Sequence, residues 1–181
     1  MRVRAIELRR VALRLVTPFR TSFGTQNDRD ILLVRVEVDD STGAAEGWGE
    51  CVALSEPLYS AEFVDGAQHV LRAHLAPRTF AAGDMAAADL AGVLAAVKGH
   101  PMAKAALECA LLDAELRLSG TSLASRLGAV RDRVECGVSV GMFPVPELLE
   151  QVDAYVAQGY RRVKLKIEPG FDVEPVRAVR E

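Results

Sequence analysis

From Arg2 to about residue 16, apolar side chains recur at every second position. Ile6 and Leu8 keep one phase, and Val11, Leu13 and Leu15 keep the other. A period of two places alternate side chains on opposite faces of a strand. The segment therefore predicts a strand with a bulge or turn near Arg9-Arg10, where the phase slips by one residue. The next stretch, TPFRTSFGTQNDRD (Thr17 to Asp30), is dense in turn formers and predicts a loop, although it carries Phe19 and Phe23. Ile31 to Val38 predicts a second strand, with Leu32, Val34, Val36 and Val38 on one face and Arg35 and Glu37 on the other. Asp39 to Gly43 has turn chemistry, and Ala45 to Leu54 predicts a returning third strand. This opening reads as an antiparallel meander.

The apolar period then lengthens to that of a helix. Phe63, Val64, Ala67, Val70, Leu71 and Leu75 share one stripe. Asp84 is placed to cap a helix carrying Leu90, Val93, Leu94 and Val97. Pro101 suits the first position of a third helix, which Gly120 would stop. That helix puts Met102, Ala106, Cys109, Leu112 and Leu116 on one stripe. Strands first and helices second is an α+β order.

After about residue 130 the order changes to strand, helix, strand, helix. The segments are Val134 to Val140, Pro146 to Gln158, Arg161 to Ile167, and a helix opening at Asp172. This is the pattern of a parallel sheet or a (β/α)8 barrel. Two strands cannot close a barrel, so the chain is expected to be the front part of a longer protein. The expected division is residues 1–130 as one domain and residues 131–181 as the start of a barrel.

Composition narrows the function. The 181 residues are half hydrophobic with a formal net charge of -3. No lysine or arginine block suggests a nucleic acid or an anionic membrane as partner. No apolar run approaches the roughly 18 residues of a membrane span. The start, MRVRAIELRR, lacks the apolar stretch of a signal peptide. Cys51, Cys109 and Cys136 are too widely spaced for a zinc site or a disulfide framework. They are expected to be buried free thiols in a reducing cytoplasm. His69, His74 and His100 are scattered, and no phosphate-binding loop or HExxH occurs.

Val163-Lys164-Leu165-Lys166-Ile167 carries the most specific chemistry. Both lysines lie on one strand face, about 6–7 Å apart. A solvated strand face explains them, and so does an enzyme site, because two ammonium groups so close disfavour each other's charge and suit one lysine to act as a base. In a parallel barrel the C-terminal strand ends line the active site, and Lys166 lies just before Glu168-Pro169-Gly170. Ser139, near the end of the preceding strand, either binds a polar substrate group or bonds to nearby backbone. Phe19 and Phe23 are candidates for a lid, or for anchors that pack their loop down. Trp48 and Tyr59 flank a second such segment.

Four stretches together resemble the enolase superfamily in its muconate-lactonizing subgroup. They are VTPFRTSFGTQ with AEGWGECVALSEPLYSAE, MAKAALECALLDAELR, CGVSVG, and GYRRVKLKIEPGFDVEPVRAVRE. The helix carries Ala103, Ala106, Leu107, Glu108, Ala110 and Asp113 at the spacing of the superfamily's alanine-rich motif. The similarity is greatest to o-succinylbenzoate synthases that also racemise N-acylamino acids. Dipeptide epimerases, cycloisomerases and a non-catalytic capping module stand as alternatives. The resemblance implies an α+β capping domain followed by the first two units of an incomplete (β/α)8 barrel. It implies Lys166 as the acid/base that moves the proton α to a carboxylate, Lys164 as its helper, and Ser139 against the substrate. Phe19, Phe23 and Tyr59 would shape the acyl pocket. It further implies a small-molecule carboxylate substrate, a homo-oligomer at full length, and Mg²⁺ or another divalent ion. The metal's ligands are expected on strands beyond Glu181, so no metal ligand is assigned among these residues.

Overall fold

Three strands make an antiparallel meander in the order β1-β2-β3: β1 (Arg2–Thr21), β2 (Gly24–Asp40) and β3 (Gly43–Cys51). The computed structural model describes the whole chain, Met1–Glu181. β1 runs unbroken through Arg9-Arg10. The segment expected to be a loop is the far half of the β1–β2 hairpin. Its turn formers mark a reversal, but the reversal takes only Ser22 and Phe23. Thr21 Oγ1 donates to the Gly24 carbonyl at 3.1 Å, and Gly24 takes a φ of +143°, which suits glycine. The flanking polar residues lie along the strands.

β2 and β3 pair from Leu32 opposite Cys51 to Asp40 opposite Gly43. The predicted face holds: Leu32, Val34, Val36 and Val38 are buried. On the other face Arg35 pairs with Glu46 and Glu37. There the Arg9 and Arg35 guanidinium carbons lie 5.4 and 5.9 Å from the centre of the Trp48 ring.

Helices α1 (Val64–Val70) and α2 (Ala76–Ala81) are joined through a π-helical turn at Leu71–Leu75. Pro77 follows that turn. A proline lacks the N–H that a regular α-helix needs at that point, and a wider turn accommodates it. Asp84 does not cap a helix, and its backbone instead pairs with that of Arg2 in an isolated antiparallel β-bridge. The helix predicted there shrinks to a 3₁₀ turn and the short α3 (Leu90–Val93).

The long helix α4 (Pro101–Ser119) begins and ends where predicted, with Gly120 at φ +62°. Its buried face is Ala103, Ala106, Leu107, Ala110, Leu111 and Ala114. The expected stripe is thus rotated, and Cys109 is exposed. The cause is the glycines of β3. A β-carbon at Gly47 would lie 2.1 Å from the Ala110 carbonyl oxygen, and one at Gly49 would lie 2.0 Å from that of Ala106. Backbones this close require small residues on both sides. The Trp48 N–H donates to Asp113 at 3.0 Å. Buried Glu62 accepts from the Met102 and Ala103 amides at 2.8 and 3.1 Å, holding the start of α4. A short α5 (Leu123–Arg126) follows.

Two further strands, β4 (Val138–Val140) and β5 (Val163–Leu165), pair in parallel. They are linked by α6 (Val145–Ala157), and α7 (Val173–Arg180) comes after them. Both strands are shorter than predicted. Residues 134–137 and Arg161-Arg162 are exposed and lie outside the strands. Val140, Leu148 and Val152 form the core here, with Phe143, Tyr155, Val163, Leu165 and Val179 packed on it. Two compact units result: Met1–Leu13 with Arg29–Ala129, and Arg14–Asp28 with Val130–Glu181. The hairpin tip therefore belongs to the second unit, a membership that strand periodicity does not reveal. No helix is long and apolar enough to cross a membrane.

Candidate active site

Every second residue of β4 and β5 turns to the core made by α6 and α7. Val138, Val140, Val163 and Leu165 take that face. The intervening residues take the other. Ser139 and Lys164 are direct register partners across the parallel pair, and both are exposed. Lys166 lies just past β5, yet its N–H donates to the Val140 carbonyl at 3.1 Å. The pairing thus continues one step, and Lys166 falls on the same side as Lys164. Ser139, Lys164 and Lys166 share one face at the C-terminal ends of two parallel strands.

Glu168-Pro169-Gly170-Phe171 ends β5 in a tight turn. Phe171 N–H donates to the Glu168 carbonyl at 2.9 Å, and Gly170 takes a φ of +85°, as a turn with proline second and glycine third requires. The turn fixes Glu168 beside Arg20 of the hairpin tip, whose guanidinium lies 3.9 Å from the carboxylate. The Met142 amide donates to the Arg20 carbonyl at 3.1 Å. These contacts set Phe19, half-buried, with its ring centre 5.7 Å from Lys166 Nζ. Arg20, Met142, Phe143, Pro144, Glu168 and Phe171 line a cavity of about 220 Å³ next to it.

Of the six residues singled out from sequence, five lie in the second unit, and four of these, Ser139, Lys164, Lys166 and Phe19, lie at the strand ends and the hairpin segment beside them. Phe23 sits in the hairpin turn of the same unit, 42% exposed. Tyr59 belongs to the first unit, in the segment between β3 and α1, and is 70% exposed. Arg20, Glu168, Phe143 and Phe171 were not singled out, although they surround the cavity. The one signal for Arg20 is its place between Phe19 and Phe23 in a stretch otherwise free of long cations until Arg29. No group of three or more His, Cys, Asp or Glu gathers to hold a metal ion. These residues by themselves do not fit a divalent cation. The chemistry they offer is an amine pair, a hydroxyl, a guanidinium and aromatic walls.

Residues 4–128 match the family described as mandelate racemase / muconate lactonizing enzyme, N-terminal domain. An N-succinylamino acid racemase of Amycolatopsis sp. is 59% identical over 182 aligned residues, covering 100% of this chain and 48% of the relative. An o-succinylbenzoate synthase of Geobacillus kaustophilus is 44% identical over 174 aligned residues, covering 96% of this chain and 46% of the relative. A crystal structure of an enolase superfamily member from Listeria innocua superposes with a TM-score of 0.89 at 34% identity, covering 99% of this chain and 48% of that one. The chain spans about half the length of the curated relatives it matches. The meander and α4 form the capping fold of that superfamily, and the parallel strands follow it. By the extent of the domain match, this chain belongs to the mandelate racemase / muconate lactonizing enzyme family.

Proposed function

We propose that the chain is the N-terminal half of an o-succinylbenzoate synthase / N-succinylamino acid racemase, an enzyme that removes the proton α to a carboxylate. The observation that carries this is the shared face of Ser139, Lys164 and Lys166 at the ends of paired parallel strands. Strand ends of that kind line the active sites of (β/α)8 enzymes. Residues 1–130 act as the capping domain and residues 131–181 open the barrel.

In this reading the Lys166 amine takes the α-proton. The C–H bond breaks, the proton passes to Nζ, and the electron pair moves into the carboxylate as an enediolate. Lys164 supplies a positive charge toward the carboxylate oxygens, and Ser139 offers a hydroxyl to the substrate. Phe19 and Phe23 offer apolar surface for the acyl group, and the resemblance implies the same role for Tyr59. Departure of a β-hydroxyl from the enediolate as water, with the proton that Lys166 took, gives dehydration. Racemisation instead requires a second acid, outside this chain, to deliver a proton to the opposite face while Lys166 keeps the one it took. The complete enzyme would use Mg²⁺ or another divalent ion held by residues outside this chain, as the resemblance implies. The free cysteines, two of them exposed, suit a reducing compartment, and we place the enzyme in the cytoplasm.

A chimera joining residues 1–181 to the remaining half of the Amycolatopsis relative tests the reading. Turnover of N-succinylamino acids or of the o-succinylbenzoate precursor supports it. Turnover of dipeptides alone would move the assignment to a dipeptide epimerase. A folded, metal-loaded chimera without activity on any of the three contradicts it.

A further inference from the structure

We propose that the Phe19 ring positions the Lys166 ammonium by a cation–π contact, so that the hairpin tip aims the end of the residue proposed as the base. The importance of this contact rests on the reading of Lys166 as that base; the contact itself does not. Lysine is a compact cation on a flexible stem, and something must hold its end in place. No ion pair reaches Lys166, because the nearest carboxylate along the chain, Glu168, is turned to Arg20 at 3.9 Å. What lies over the Lys166 Nζ is an aromatic face, 5.7 Å from nitrogen to ring centre. That is within the roughly 6 Å over which a ring quadrupole attracts an ammonium group.

The ring is brought there by independent contacts. The Met142 amide holds the Arg20 carbonyl at 3.1 Å on the β4 side, and Glu168 holds the Arg20 guanidinium on the β5 side. The choice of an aromatic partner has a chemical consequence. A carboxylate would bind the ammonium through its N–H groups and compete with a substrate carboxylate. A ring face attracts the ammonium form without taking its proton and has no such hold on the neutral amine. It keeps the end of Lys166 in place while the nitrogen carries a proton, and it leaves the substrate carboxylate uncontested. Phe19 is then a positioning residue as well as part of the pocket wall.

The test uses the 181-residue chain with phenylalanine 19 replaced by its mono-, di- and trifluorinated analogues. These keep the ring's size and progressively weaken its negative face. Limited acetylation followed by peptide mass spectrometry reads the rate at Lys166 against exposed Lys98 and Lys164. The rate ratio is expected to climb with each fluorine, to about two- to fivefold for the trifluoro ring. Phe19→Leu should match the trifluoro ring, and Phe19→Tyr should stay at the starting ratio. A ratio that is flat across the fluorine series overturns the proposal, whatever Phe19→Leu does, because the ring would then act only as a steric cover. The readout requires no catalysis. If the ratio climbs while Lys166→Ala leaves the chimera active, the contact stands and the assignment of the base fails.

Discussion

Gly49 on β3 and Ala106 on α4 meet backbone to backbone: a β-carbon at residue 49 would lie 2.0 Å from the Ala106 carbonyl oxygen. The struck atoms belong to a helix backbone and cannot rotate away. Gly49→Ala is therefore expected to cost at least about 1–3 kcal/mol, the usual range for overpacking, in chemical denaturation. Gly92 in α3 provides the contrast, since nothing lies within 4 Å of a β-carbon there. Gly92→Ala should stabilise by about 0.5–1 kcal/mol. Equal effects at the two sites would contradict the packing described for α4.

Glu62 accepts two amide hydrogen bonds at the start of α4. Glu62→Ala leaves both donors without a protein partner in a buried setting, at an expected cost of about 2–3 kcal/mol. Glu62→Gln keeps one acceptor oxygen and should cost clearly less. Urea titrations of the two variants read the difference, and identical midpoints would argue against the capping role.

The three thiols should separate in reactivity. Cys51 is 1% exposed, and burial pushes its thiol upward, so the reactive thiolate is disfavoured. Cys109 and Cys136 are exposed. Ellman's reagent is expected to consume two thiols in the native chain and the third only after denaturation. Rapid reaction of all three without denaturant would contradict the placement of Cys51.

Arg10 ties β1 to β2 and α1 through ion pairs with Asp30 and Asp65. Hydrogen bonding from Arg10 holds the Asp30 carboxyl below the usual carboxylate range. A depressed folded-state value means the pair's contribution is present above the unfolded value, near pH 4. It is lost as pH falls through the depressed one. Both groups are partly solvent-exposed, so the contribution should be no more than about 1 kcal/mol. Asp30→Asn should thus lower stability at pH 7 and leave it nearly unchanged near pH 2. An equal deficit at both pH values would mean the effect is not ionic.

Much of the meander was legible because β2 obeys strict alternation, and the β-α-β-α tail was legible from its change of period. The hairpin tip was not, because Thr17 to Asp30 lacks an apolar face and its turn formers outweighed its strand character. The α4 stripe was misplaced for a different reason. Alanine is weakly apolar, and its value here comes from Gly47 and Gly49 on another element, which helix periodicity cannot see. The same holds at the candidate site. Lys164, Lys166 and Ser139 were visible as strand residues of unusual chemistry. Arg20 and Glu168 became visible only when the hairpin tip met the β5 turn.

The most direct measurement is α-proton exchange in deuterated water, followed by proton NMR on an N-succinylamino acid. It compares the chimera carrying residues 1–181 with its Lys166→Ala variant. The account predicts exchange in the parent and a loss of about 100-fold or more in the variant, the scale of general base catalysis, with binding of the metal and the fold preserved. Exchange at the parental rate without Lys166 would contradict it.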